Sequence, residues 1–363
     1  MPADALQTLL NALQQSGFRV LGPAHENGVV GIDEISSIEQ LPQGIHTQQS
    51  PGRYQTTEQD DPRFFAFQHG SDSWKRYLFP PRRLLYELGP DLIATSHPQP
   101  ASKPMAFLGV RACDLAALQI QAQVFAHADP AYVQHLEESF VIGVHCQSAA
   151  TTCFCSSANS GPDFASSTYL DLVLTELLDQ DGHYFIANPR NERAAALMEQ
   201  LGLGEAKERQ RLLIDEQLDN TREEIQTRLH SDSRTLLRDH PDAARWDHVA
   251  ERCLACSNCT AVCPTCFCSD VEETTDLNAQ KAQRWQVWDS CFNQRHSYTH
   301  AGTVRASTRA RYRQWLTHKL SSWHDQFGTS GCTGCGRCIT WCPVGIDLTA
   351  EVAAIAKEVA DES

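Results

Sequence analysis

The sequence predicts an α+β chain, an α/β N-terminal region followed by a helical C-terminal region. Three features point that way. Two apolar runs, 106–110 and 140–144, read as buried strands, and the first leads into a helical stretch from Leu115 to Phe125. Near the other end Ile346, Leu348, Val352, Ile355 and Val359 recur at near-helical spacing. The third feature is the distribution of 15 cysteines, densest in the last third of the 363 residues.

Other elements follow from local pattern. Leu6, Leu9, Leu10 and Leu13 share one face of an opening helix, which Gly17 ends. Segments 29–32 and 64–67 read as strands, and 171–178 and 184–187 add further secondary structure. Residues 205–246 are charge-rich and helical in pattern, and Val304 to Leu320 reads as a helix. The segment Lys75 to Pro81 reads as a surface loop or a docking segment.

Composition removes several function classes. A formal net charge of -15 argues against nucleic acid, whose phosphates need a concentrated Lys/Arg surface. The one basic stretch, Arg305 to Lys319, contains Trp315 and Leu316 and reads as an amphipathic helix. No apolar run approaches the roughly 18–20 residues of a membrane span. The start, Met1-Pro2-Ala3-Asp4, has no basic n-region, so the expectation is a cytoplasmic protein. In that compartment thiols stay reduced, and many cysteines point to metal rather than to disulfides.

The spacing of the cysteines names the metal. Cys253-Leu-Ala-Cys256-Ser-Asn-Cys259-Thr-Ala-Val-Cys263-Pro264 and Cys332-Thr-Gly-Cys335-Gly-Arg-Cys338-Ile-Thr-Trp-Cys342-Pro343 both follow C-x2-C-x2-C-x3-C-P. That is the bacterial-type ferredoxin pattern. Three thiolates in one tight loop wrap one cubane. The fourth falls on the next turn and reaches the other cubane, and proline prevents an uninterrupted helix. Cluster one is therefore assigned to Cys253, Cys256, Cys259 and Cys342, and cluster two to Cys332, Cys335, Cys338 and Cys263. Structural zinc uses four ligands in two pairs and fits two such runs poorly. Ala255, Ser257, Gly334 and Gly336 are small enough to let backbone N–H groups approach the cluster sulfur, which raises reduction potential. The long insert, residues 264–331, and the helical tail resemble the alpha-helical ferredoxin domain of fumarate reductase iron–sulfur subunits. A compact βαββαβ ferredoxin is the alternative.

Seven cysteines remain. Cys113 and Cys146 follow the two predicted strands; if these are parallel neighbours, both emerge at the C-terminal ends, where α/β sheets place ligands. With Cys153 and Cys155 they form a candidate set for a third [4Fe–4S] cluster, against a single metal ion or plain buried thiols. Asp114 reads as a helix-start carboxylate, with a ligand role as the alternative. Cys266, Cys268 and Cys291 are weighed as iron ligands completed by Asp289 or an external group, against a packed shell shared with Trp285 and Trp288. The packed shell is favoured. Gly202-Leu-Gly204 is only a turn, and no dinucleotide fingerprint, Walker motif, H-E-x-x-H or nucleophile elbow is present. No residue is assigned a catalytic role; the nearest catalytic-looking pair is His145 beside Cys146.

A family likeness runs through the chain. Lys75-Arg-Tyr-Leu-Phe-Pro-Pro81, Arg111-Ala-Cys113-Asp114-Leu115, Cys146 with Cys153-Phe-Cys155, Cys263-Pro-Thr-Cys-Phe-Cys268 and Trp288-Asp-Ser-Cys291 precede the second ferredoxin run. The series resembles the beta subunit of sulfhydrogenase-type cytosolic [NiFe] hydrogenases and the A subunit of anaerobic sulfite reductase. The resemblance implies an electron-transfer subunit. It would stand between a flavoprotein partner (FAD, [2Fe–2S]) that handles NAD(P)H and a [NiFe] hydrogenase or sulfite reductase catalytic subunit. A stand-alone thiol- or disulfide-reducing cluster enzyme is the other class. The expected organisation is an N-terminal α/β domain, 1–205, carrying the third cluster site. A charged helical connector, 206–245, leads to an alpha-helical ferredoxin dicluster domain, 246–363.

Overall fold

The computed structural model describes residues 1–91, 93–95, 103–278 and 280–362. Its centre is a six-stranded sheet in the order Gly182–Pro189, Leu172–Asp179, Phe140–Val144, Met105–Val110, Arg19–Glu26, Val29–Glu34. The four inner strands pair in parallel and the two outer strands are antiparallel. Side chains alternate across this sheet as strand geometry requires. Ala106 and Leu108 pack towards the helix Leu6–Gln15, whereas Met105 and Phe107 pack towards Ala112–Ala128 and Pro130–Glu138. Both faces are therefore covered, which explains why the central strands are apolar throughout.

The expected strand at 64–67 is not one. Phe64 and Phe65 give their N–H groups to the buried Glu176 carboxylate, at 2.6 and 2.9 Å. The Phe65 and Phe67 carbonyls accept from Arg111, each at 3.0 Å. Two buried charged side chains supply what a sheet neighbour otherwise would. The stretch is apolar because its rings fill the core, and ring burial resembles a strand signal in sequence.

Helices Glu208–Glu224, Ser233–Asp239 and Arg245–Arg252 occupy the charge-rich stretch. They lead to a third core, in which Trp246, Tyr312, Trp315, Leu316, Ile339, Leu348, Val352 and Ile355 pack together. Phe154, from the N-terminal half, is fully buried within this same core. The predicted helix from Val304 to Leu320 forms over Thr308–Thr317 and then widens into a π-helical turn, His318–Ser322.

The insert also holds a hairpin that periodicity did not suggest. Ser269–Thr275 pairs with Ala282–Trp288, which pairs in turn with Arg82–Leu88 from the N-terminal half. Ser269–Thr275 is exposed along its whole length, so it carries no buried-face alternation to read. This four-stranded sheet joins the two halves of the chain.

Candidate iron–sulfur centres

Each ferredoxin run folds into the same loop. Two residues after its first cysteine the backbone is left-handed (Ala255 φ 50°, Gly334 φ 61°), and two residues later it is left-handed again (Ser257 φ 67°, Gly336 φ 75°). The Ala255 N–H points to the Cys253 sulfur at 3.4 Å, and the Gly334 N–H to the Cys332 sulfur at 3.5 Å. Repeated left-handed residues turn successive N–H groups inward, a concavity suited to a negatively charged centre.

The thiols gather as two sets. Beyond the effect of burial, Cys259 is pushed up by Cys253, Cys342 and Cys256, and Cys338 by Cys332, Cys263 and Cys335. Cys342 thus stands with the first run and Cys263 with the second, the crossed arrangement that the spacing predicts. The sets adjoin, since Cys259 also faces Cys263 and Cys338. Among the described residues no three His, Cys, Asp or Glu side chains sit closely enough to hold a single metal ion. Four thiols spread around a cubane stand on separate irons, so this donor set and loop shape fit [4Fe–4S] better than zinc.

Cys113, Cys146, Cys153 and Cys155 also converge. The parallel strands Met105–Val110 and Phe140–Val144 deliver Cys113 and Cys146 just beyond their C-terminal ends. Burial pushes the Cys153 thiol up to about 12, with Cys146 and Cys335 adding to the rise. Cys155 is raised by burial, then by Cys153, Cys146 and Cys335, and Cys113 faces both Cys335 and Cys155. The N-terminal set therefore stands against Cys335 of the second run.

Asp114 lies in the first turn of Ala112–Ala128, as expected, but its carboxylate is paired with cations from elsewhere in the chain. It is buried, with one oxygen 2.8 Å from Arg337 Nη1 and the other 2.7 Å from His69 Nε2. Burial alone would raise its carboxyl; Arg337 and His69 instead hold it well below the usual carboxylate range. This pair clamps the N-terminal helix to the second ferredoxin loop.

Residues 252–346 match the family described as 4Fe-4S dicluster domain. The chain is 28% identical over 356 residues to Sulfhydrogenase 2 subunit beta of Pyrococcus furiosus, covering 93% of this chain and 92% of that protein. The likeness to that protein extends over nearly the whole of both chains. No solved structure matches it. Among the described residues no helix is long and apolar enough to cross a membrane.

The structure adds two lysines to the cysteine sets. Lys319 is buried in the π-helical turn, its Nζ 3.3 Å from the Cys263 sulfur and 3.0 Å from both Thr265 Oγ1 and the Gly331 carbonyl. Lys75 places its Nζ 3.0 Å from the carbonyls of Cys263 and Cys266, over the Trp288 ring at 3.9 Å. The segment from Lys75 is thus an internal latch and not a surface loop or docking arm. A sequence signal for Lys319 existed: it continues the buried stripe of Tyr312, Leu316 and Trp323.

Cys266, Cys268 and Cys291 separate into two relationships. Cys263, together with burial, pushes the Cys266 thiol up. Cys291 and His296 hold the Cys268 thiol down at about 5 against the effect of burial. His296 is itself raised to about 9, by Cys268 first and also by Asp289. Trp288 packs on Lys75 and Phe79 and lines one cavity with Cys266 and Cys268, whereas Trp285 lies beneath Arg82.

Proposed function

We propose that this chain is the electron-transfer subunit of a hydrogenase-type complex, holding three [4Fe–4S] clusters in a row. The observation that carries the reading is the packing of the Phe154–Cys155 backbone, from the N-terminal cysteine set, onto Gly334 beside Cys335. It orders the centres as the Cys113, Cys146, Cys153 and Cys155 set, then Cys332, Cys335, Cys338 and Cys263, then Cys253, Cys256, Cys259 and Cys342. A bound [4Fe–4S] cluster supplies one-electron transfer. The chain's own residues fix the thiolates, shield the middle centre from water and place Lys319 and Arg337 beside its cysteines. Buried positive charge next to a cluster favours its reduced form.

The relative's name favours a hydrogenase catalytic subunit over a sulfite reductase at one end of the row. A flavoprotein handling NAD(P)H is the proposed partner at the other. The division into 1–205, 206–245 and 246–363 is retained as the chain's organisation. The proposed setting is the cytoplasm, where this many thiols stay reduced.

Anaerobic iron and sulfide counting with EPR tests the row. About twelve irons per chain are expected, falling by about four in Cys153→Ser. A wild-type count of about eight, unchanged in Cys153→Ser, rejects the N-terminal centre.

A further inference from the structure

The hairpin of the insert brings together three residues that the relay does not use. Its register sets Ser269 opposite Trp288, and the Asp289 N–H donates to the Cys268 carbonyl at 2.9 Å. Cys268 therefore enters the hairpin where Asp289 and Cys291 leave it, and both cysteines line one cavity. Asp289 is nearly buried and is fixed by Asn293 Nδ2 at 2.9 Å. Its other oxygen lies 2.5 Å from His296 Nδ1, and His296 lines the same cavity as Cys268. Aspartate thus orients a histidine that shares a cavity wall with the cysteine, and a base so placed makes a sulfur nucleophilic. Cys268, Cys291 and His296 line a cavity of about 460 Å³ whose wall includes Arg305 and His318. Both cysteines are half-buried and line the cavity.

We propose that Cys268 and Cys291 are a thiol–disulfide exchange pair that reduces a small anionic disulfide in this cavity. His296 takes the Cys268 proton. The Cys268 sulfur attacks one sulfur of R–S–S–R, the substrate S–S bond breaks, Cys268–S–S–R forms, and the leaving RS⁻ takes the proton from His296. Cys291, passing its proton to His296, then attacks the Cys268 sulfur and expels the second RS⁻, which is protonated in turn. The substrate gains two electrons and two protons, and the pair becomes the Cys268–Cys291 disulfide. A second, external dithiol restores the pair by the reverse exchange. Cys268 supplies the attacking sulfur, Cys291 resolves, Asp289 positions His296, and Arg305 favours negative charge on the substrate.

The inference is independent of the relay. The test treats the full chain, prereduced and freed of thiol without oxygen, with glutathione disulfide and maps the cysteines by peptide mass spectrometry. Wild type should close Cys268–Cys291, and Cys291→Ser should stop with glutathione on Cys268. In Cys268→Ser the glutathione uptake at Cys291 should fall about tenfold below the Cys268 rate of Cys291→Ser. Arg305→Glu should slow glutathione disulfide more than the cationic disulfide cystamine. Uptake without preference for Cys268 would overturn the proposal. So would a lower iron count in both Cys268→Ser and Cys291→Ser, which would make the pair iron ligands whatever the fate of the relay.

Discussion

The loop Cys253–Cys259 faces outward, with Cys256 exposed and Leu254 63% exposed, whereas the loop Cys332–Cys338 has the N-terminal half pressed onto it. Their backbones are alike down to the paired left-handed residues. What differs is the company each keeps. The Phe154 N–H donates to the Gly334 carbonyl at 2.8 Å, Ser160 Oγ to the Thr333 carbonyl at 2.5 Å, and Arg337 reaches Asp114. The first run thus suits exchange with a partner protein, and the second suits an internal step between centres. In the proposed relay one motif serves two positions because the residues between its cysteines suit different neighbours.

The largest contrast should be at the fifth residue after each first cysteine. Arg337→Met leaves Asp114 buried without its main counter-charge and should cost about 3–5 kcal/mol. Its counterpart Asn258, which donates to the Trp341 carbonyl, should cost only about 1 kcal/mol as Asn258→Ala. Anaerobic thermal unfolding reads both, and equal losses would break the comparison. Adding Asp114→Leu to Arg337→Met should recover much of the loss, since the charge that needed pairing is gone.

The glycines come next. A Cβ at Gly334 would lie 2.6 Å from backbone atoms of Phe154 and Cys155 and would also burden a left-handed residue. Gly334→Ala should therefore cost about 2–4 kcal/mol and lower the iron content. In the first run Ala255 already tolerates the same conformation, and Ala255→Gly should change stability by no more than about 1 kcal/mol. If Gly334→Ala proved as mild, the pressure from the N-terminal loop would not be what sets that residue.

Much of this was legible in the sequence for physical reasons that can be named. The eight ferredoxin cysteines are local: spacing alone decides which thiols share a loop, and the crossing of Cys263 and Cys342 follows from the turn. The N-terminal four were legible because strand ends are fixed by apolar runs, and parallel pairing puts both ends on one side. The clamp from Asp114 to Arg337 was not. Its partners lie far apart in the chain, and Arg337 within the motif looks like any solvated loop arginine. The hairpin Ser269–Thr275 escaped because an exposed polar strand buries no face. The segment 64–67 misled because rings packed in a core resemble a strand until the backbone partners are known.

The smallest effect tests how far the two environments reach into the redox chemistry. Lys319 Nζ lies 3.3 Å from the sulfur of Cys263, within a buried set of acceptors. In the first run, Arg311 lies near Cys253, but its guanidinium is engaged by the carbonyls of Arg305 and Ala306, at 3.3 and 2.7 Å. Both cations are also held by carbonyls, but only Lys319 hydrogen-bonds to a cysteine sulfur, and a charge in contact acts on a centre more than one without that contact. Lys319→Met should therefore lower one midpoint potential by on the order of 60 mV, a tenfold change in a one-electron equilibrium. Arg311→Met should shift another by less. EPR-monitored redox titration of the two variants separates the cases, with Lys319→Arg as the control that keeps the charge. If Arg311→Met moved its centre as far as Lys319→Met did, the exposed loop would be tuned as closely as the buried one. The difference between the runs would then be one of packing alone.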